Sequence, residues 1–321
     1  LADANKRRPE AIFEAIYRDL YATYRHVLSS DSRSSKTPKW MKRLQIIDST
    51  TVTLFSNVLF KGAGRHPKTG KKKGGIKVHA VIHANKGVPS DIKFTSAATN
   101  DSFMLKPTTL HKGDIMAMDR AYIDYEKFQQ LTERGVVYVT KMKKSLKYTI
   151  LSDVMYQTPD GLTEVRIQTV GFVKQKKDGE TIRHKARMIS YCDEKKRKLI
   201  SLLTNDMESD PDEIIAIYHQ RWEIELLFKQ MKQNFPLKYF YGESANAIKI
   251  QIWVTLIANL LLMVMQKGLK RSWSFSGLAT MVRITLMYYV DFYSLFNNPE
   301  KDWEILLEEA SGEPPQPSLF D

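Results

Sequence analysis

Beyond a helical stretch at its start, this chain shows a series of extended runs first and helices alternating with strands only afterwards; that order limits it to a mixed α/β sheet. Leu44-Gln-Ile-Ile-Asp48, continuing through Val52 and Leu54, reads as a strand, as do Ile76 to His83 and Ile92 to Ser96. Asp114-Ile-Met-Ala-Met-Asp119 is a short apolar strand ending in an acid. Tyr125 to Arg134 is an amphipathic helix closed by Gly135, and Val136 to Thr140 is a further strand. Three antiparallel strands followed by strands added through crossover helices make a mixed sheet.

Different patterns flank this block. Residues 9–28 carry Ile12, Phe13, Ile16, Tyr17, Leu20 and Tyr24 at helical spacing, and Ser29 to Pro38 is a polar break. Ala97 to Asp101 reads as a helix start with Asn or Asp as cap. Lys143 to Asn205 alternates β-branched residues around a Lys-Lys-Asp-Gly turn at 176–179 and predicts several antiparallel strands. Pro211 opens a long helix with Asp210 as cap, and an apolar helix covers roughly 244–268. The expected units are a helical region over 1–40, a sheet core in two parts over 41–142 and 206–268, a β-rich insertion over 143–205, and a helical C-terminal region over 269–321.

Composition narrows the function classes. Lys and Arg number 49 against 36 Asp and Glu, a formal charge of +13, which points to a polyanionic partner. With one cysteine, Cys192, a disulfide framework and a cysteine zinc site are excluded, and a reducing cytoplasm fits. No apolar run reaches the ~18 residues of a membrane span; Ile252 to Met265 is broken by Thr255 and Asn259 and reads as a buried helix. The chain begins at Leu1, so further residues are expected upstream.

Asp48 and Asp119 both close apolar strands, where ligands bind in α/β sheets; capping or solvated acids would look the same. At about 100° per residue, Tyr218, Arg221, Trp222, Glu225, Lys229 and Lys232 share one stripe of the long helix. Ile217, Ile224, Leu227, Phe228 and Met231 lie on a separate face. A solvated face with i,i+4 ion pairs is the plain alternative, and the two aromatics argue against it. Between Asp48 and Asp91 there is no acid but a glycine-rich series, Lys61, Arg65, Lys68, Lys71, Lys72, Lys73 and Lys77, suited to a DNA backbone. It does not fit the phosphate-loop pattern of nucleotide hydrolases. Lys195 to Lys198 reads as a charged hairpin end, and His79 and His83 as structural residues.

The pattern Tyr218-x2-Arg221-x3-Glu225-x6-Lys232, with Ile46-Ile-Asp48-Ser-Thr and Met118-Asp119-Arg120-Ala-Tyr122, resembles the signature of bacterial insertion-sequence transposases of the DDE type, over roughly residues 40–268. The resemblance implies an RNase H-like mixed five-stranded sheet with flanking helices, interrupted by an all-β insertion. It implies that Asp48, Asp119 and Glu225 hold two Mg²⁺ ions, with Mn²⁺ able to substitute. It further implies that Tyr218, Arg221 and Lys232 contact phosphates and that Trp222 stacks on a flipped base. Lys229, Arg120, Arg65, Lys71, Lys72 and Lys73 complete the expected DNA-contacting set. Partners would be double-stranded transposon-end and target DNA, bound by a homodimer in the bacterial cytoplasm near the nucleoid, with no membrane. Only residues 1–40 are available for the family's N-terminal DNA-binding domain. A non-catalytic DNA-binding relative and a metal-dependent nuclease without strand transfer remain open.

Overall fold

The computed structural model describes residues 7–29, 37–53, 75–157, 164–176, 179–193, 197–237, 239–286 and 292–298. Nine strands form one sheet: β1 (Leu44–Thr53), β2 (Gly75–His83), β3 (Pro89–Ser96), β4 (Ile115–Met118), β5 (Val137–Lys141), β6 (Thr149–Gln157), β7 (Glu164–Gln175), β8 (Thr181–Asp193) and β9 (Lys198–Thr204). Their spatial order is β3-β2-β1-β4-β5-β9-β8-β7-β6. β1, β4 and β5 run parallel, and every other pairing is antiparallel. All four residues of β4, Ile-Met-Ala-Met, are buried, as a parallel strand covered on both faces requires. The turn from β2 to β3 places Gly87 at φ +68, a backbone region that glycine adopts without a steric penalty.

Alternating side chains serve two cores, since strand residues point to opposite faces. Ile46, Ala117 and Val139 join one cluster; Ile47, Met116, Met118 and Tyr138 join the other. The first face is covered by helices α1 (Glu10–Leu28), α3 (Pro211–His219), α4 (Trp222–Asn234) and α5 (Ala245–Gly268). The second is covered by α2 (Tyr125–Glu133), through Phe128 and Leu131. Asp124 caps α2 by accepting from the N–H groups of Glu126 and Lys127, and Gly135 at φ +69 ends it. Helices α6 (Phe275–Thr285) and α7 (Phe292–Asn297) close a third, small core on Leu262.

By length and composition α5 could cross a membrane, but Ile248, Ile252, Trp253, Leu256 and Leu260 build the first core. Trp253 lies 5.6 Å from the Tyr17 ring of α1 and 5.4 Å from Phe94 of β3. Glu10 of α1 pairs with Lys249 of α5 at 2.6 Å.

Two features differ from the sequence expectations. The insertion strands β6–β9 join the expected five-stranded sheet and extend it to nine, because β9 pairs with the edge of β5 (Val139 opposite Thr204). Asn205 fastens this junction: its carbonyl accepts from Tyr138 N–H at 2.9 Å and its amide donates to Val136 O at 2.9 Å. An edge left with open backbone groups is thereby closed. Second, the long helix from Pro211 is two helices. At Gln220 and Arg221 ψ is −18 and −23, and Arg221 N–H and Glu223 N–H donate three residues back, to Tyr218 and Gln220. This 3₁₀-like turn is wound more tightly than an α-helix, yet Arg221 still meets both Tyr218 and Glu225.

Candidate active site

The parallel register of β1 and β4 places Ile47 beside Met118. Asp48, which stays within β1 opposite Ala80 of β2, and Asp119, the first residue past β4, follow this pair side by side. Asp119 precedes a short turn, Arg120–Tyr122, and its side chain makes no capping hydrogen bond there. α4 brings Glu225 toward Asp48: Ile224, Leu227, Phe228 and Met231 are buried against the sheet.

Arg221 joins the elements. Its Nη1 donates to Asp48 Oδ2 at 3.2 Å, and its Nη2 lies 2.5 Å from Glu225 Oε1. The guanidinium also sits 5.6 Å from the centre of the Tyr218 ring, in cation–π range. The side chains of Arg221 and Asp48 are 15% and 16% exposed, so this is a largely desolvated ion pair. Asp48 Oδ1 accepts from the Ser49 N–H at 2.7 Å. Burial pushes the Asp48 carboxyl up to about 6; the Ser49 N–H and Arg221 oppose the shift, and the negative charges of Asp119 and Glu225 add to it.

Lys229 and Lys232 line an opening of about 460 Å³ together with Asp48 and Glu225. Lys232 Nζ donates to Thr50 Oγ1 at 2.6 Å and to Thr51 O at 3.2 Å. Trp222, the first residue of α4, is 55% exposed; it is not packed as core. Arg120 is exposed and lines a different cleft. Arg65, Lys71, Lys72 and Lys73 lie outside the described residues.

Carboxylate oxygens are the donors a hard divalent cation selects, so the chemistry of Asp48, Asp119 and Glu225 fits Mg²⁺. Among the described residues no three His, Cys, Asp or Glu side chains are gathered into a metal-holding group. Arg221 bridges Asp48 and Glu225 instead.

A second acid cluster escaped the sequence reading. Asp101 accepts from Ser49 Oγ at 2.7 Å and lies 3.2 Å from Lys77 Nζ and 3.5 Å from His79 Nδ1. Lys77 is 9% exposed and also donates to Thr99 O at 2.8 Å. It therefore belongs to this buried network, and its grouping with the basic loop is corrected: on β2 it faces Thr51, at the second position before His79. His79 has an acid beside it that sequence distance concealed. Burial, with Lys77 adding to it and Asp101 opposing, pushes His79 down to about 4, and the neutral ring is structural. The expected helix at Asp101 is a short 3₁₀ turn, capped by Asn100. Asp101 is adjacent through Ser49 to Asp48, which no local pattern announces.

The transposase DDE domain family model matches residues 39–261. The Sinorhizobium fredii protein y4zB, ascribed a transposase role, is 27% identical over 266 residues, covering 82% of this chain and 70% of its own length. A transposase ascribed to insertion sequence element IS5377 of Geobacillus stearothermophilus is 27% identical, over 74% of this chain and 60% of its own. One ascribed to element IS4SA of Synechocystis is 24% identical, over 74% of this chain and 66% of its own. The chain thus spans between 60% and 70% of the length of these relatives. Among solved structures, the piggyBac transposase synaptic complex with hairpin DNA aligns with a TM-score of 0.41 at 12% identity, over 88% of this chain and 59% of that one.

Proposed function

We propose a metal-dependent DNA cutting and joining activity for this chain, which belongs to the transposase DDE domain family. The reading is cut-and-paste transposition on an RNase H-like core. One observation carries it: Asp48, within β1, and Asp119, the first residue past β4, follow the last parallel pair Ile47–Met118, while Glu225 is tied to Asp48 through a shared Arg221. The order β3-β2-β1-β4-β5, with only β1, β4 and β5 parallel, supports the RNase H-like assignment.

In this reading Asp48, Asp119 and Glu225 hold the divalent ions, two Mg²⁺ with Mn²⁺ as substitute. When bound, such ions neutralise charge on the attacking and leaving oxygens of an in-line displacement. Lys229 and Lys232, at the opening beside the acids, hold phosphates as point charges. Arg221 turns from the carboxylates to grip a phosphate with two N–H groups. Tyr218 supports the guanidinium from one side. Trp222, exposed at the start of α4, offers a stacking face for an unpaired base. Water first adds to phosphorus with departure of a 3′ oxygen. The freed 3′-OH then attacks a second phosphodiester, whose own 3′ oxygen departs and takes up the proton, so one P–O bond is made and one broken at each step. The partners are double-stranded end and target DNA, engaged as a homodimer in the bacterial cytoplasm.

Incubation with Mg²⁺ and donor DNA carrying flanked ends, resolved on a denaturing gel, tests the reading. Nicked and excised products are expected, and no cleavage at all overturns it. A pre-cleaved end that is never joined to target reduces the activity to that of a nuclease.

A further inference from the structure

A groove of about 1190 Å³, larger than the opening at the acids, lies on the insertion strands. Its floor is a cross-strand row: Met155 on β6 faces Arg166 on β7, which faces Ser190 on β8, which faces Ser201 on β9. Ser190 and Ser201 share a hydrogen bond of 2.7 Å, and Arg166 is held by both carboxylate oxygens of Asp153. The alternate residues Val165, Ile189, Ile200 and Leu202 point the other way, into the first core. The groove face is therefore fixed by the sheet and is not a loop accident.

The charge of its lining is one-sided. Seven lining residues are Lys or Arg and one, Glu164, is acidic. Lys141, Lys143 and Lys144 form one wall, where β5 ends, and Arg120 stands at the border with the acid site, one residue past Asp119. A polyanion that reaches Asp119 meets this cation series on leaving it.

We propose that this groove carries the DNA that runs past Asp119, its phosphates over Lys141, Lys143 and Lys144. The proposal rests on the transposase reading and names the path of the DNA on this chain. A groove that neutralises phosphates gains affinity through counterion release, and exposed Tyr148 and Met155, 41% and 59% accessible, supply apolar surface for sugars or bases.

The single cysteine of the chain, Cys192, is exposed and lines this groove, so the native protein carries its own probe. Maleimide labelling of Cys192 is followed in free protein and with three additions: blunt duplex DNA, the same duplex with a single-stranded overhang, and polyglutamate of matched charge. With DNA at about ten times its Kd, labelling is expected to slow about tenfold by mass action. Protection by the overhang alone assigns the groove to a single strand; protection by both assigns it to duplex. K143E/K144E, verified as folded by its melting curve, should lose the protection, and its salt slope of DNA binding should fall by about 1.8, two phosphate contacts at about 0.9 each. If DNA binds and is cut while Cys192 labels at the free rate, the groove proposal is overturned and the transposase reading survives. An unchanged salt slope in the double variant, or equal protection by polyglutamate, also overturns it. If no DNA binds at all, both fall.

Discussion

Arg221 donates to Asp48 at 3.2 Å across 173 positions of sequence, and through its other amine it holds Glu225 at 2.5 Å. One cation thus neutralises two carboxylates that Mg²⁺ is proposed to share. Arg221→Ala leaves a largely desolvated Asp48 and a half-buried Glu225 repelling each other, at a cost of up to about 3 kcal/mol in stability. Mg²⁺ should then raise the melting temperature of the variant more than that of the native chain. Thermal melts with Mg²⁺ and with EDTA measure this. Equal Mg²⁺ shifts in both proteins would mean that the cation enters without displacing Arg221.

Asp48→Asn, Asp119→Asn and Glu225→Gln keep side-chain shape and remove the charge that holds the metal. Each is expected to lower cleavage by at least about 10³-fold, in line with the several kcal/mol a metal supplies, while DNA affinity stays near native. Gel assays at matched protein and Mg²⁺ decide it, and full cleavage by any one variant removes that residue from the triad.

Trp222 is 55% exposed, so Trp222→Ala should shift the melting temperature little. Base stacking on an aromatic contributes about 1–3 kcal/mol. The variant should therefore nick DNA near the native rate and fall behind in completing double-strand cleavage. A uniform slowing of both steps, with a lowered melting temperature, would assign Trp222 to packing.

His184 is 2% exposed. Its Nε2 accepts from Tyr138 O–H at 2.6 Å, and its Nδ1 donates to Gln129 Oε1 at 3.2 Å. Burial pushes it down to about 4, below an unfolded value of about 6.5. The unfolded chain therefore binds the extra proton between those values. The neutral ring's contribution is whole above about pH 6.5 and declines as pH falls toward 4, by about 3 kcal/mol in all. Denaturant melts from pH 7 to 4 should show the decline, and His184→Gln should flatten it. An unaltered pH profile in the variant would place the sensitivity elsewhere.

Asp101 offsets the charge of Lys77, itself 9% exposed. Asp101→Asn should cost about 3 kcal/mol by stranding that ammonium. Adding Lys77→Met should restore part of the loss, and a double-mutant cycle with no coupling would disprove the pairing. Cleavage should fall in the single variant too, because Asp101 anchors Ser49, whose N–H orients Asp48.

Asp119 was legible as a strand-end acid because four apolar residues closed by Asp mark where a buried strand reaches water, whereas Asp48, read the same way, sits inside a strand that runs on to Thr53. The break at Gln220–Arg221 was not, since neither residue is a helix breaker. Lys77 looked like its neighbours Lys71, Lys72 and Lys73 because charge runs carry no information about pleat; strand register alone turns it inward. Asp101 and Ser49 lie 52 positions apart, and β5 and β9 pair across a similar span, so hydrophobic period alone could not join them.

The closure of β5 by β9 has a consequence in time. During synthesis β5 emerges from the ribosome well before its antiparallel neighbour, with the insertion still to be made. At about 5–20 residues per second, the stretch from Thr140 to Asn205 takes on the order of 3 to 13 s. For that interval the newborn chain presents an open strand beside β4, and any second nascent copy on the same message offers a matching one. Slower decoding across the insertion lengthens the window for such mispairing, and faster decoding shortens it. Soluble yield should therefore respond to codon choice between these two strands more than to codon choice in α5.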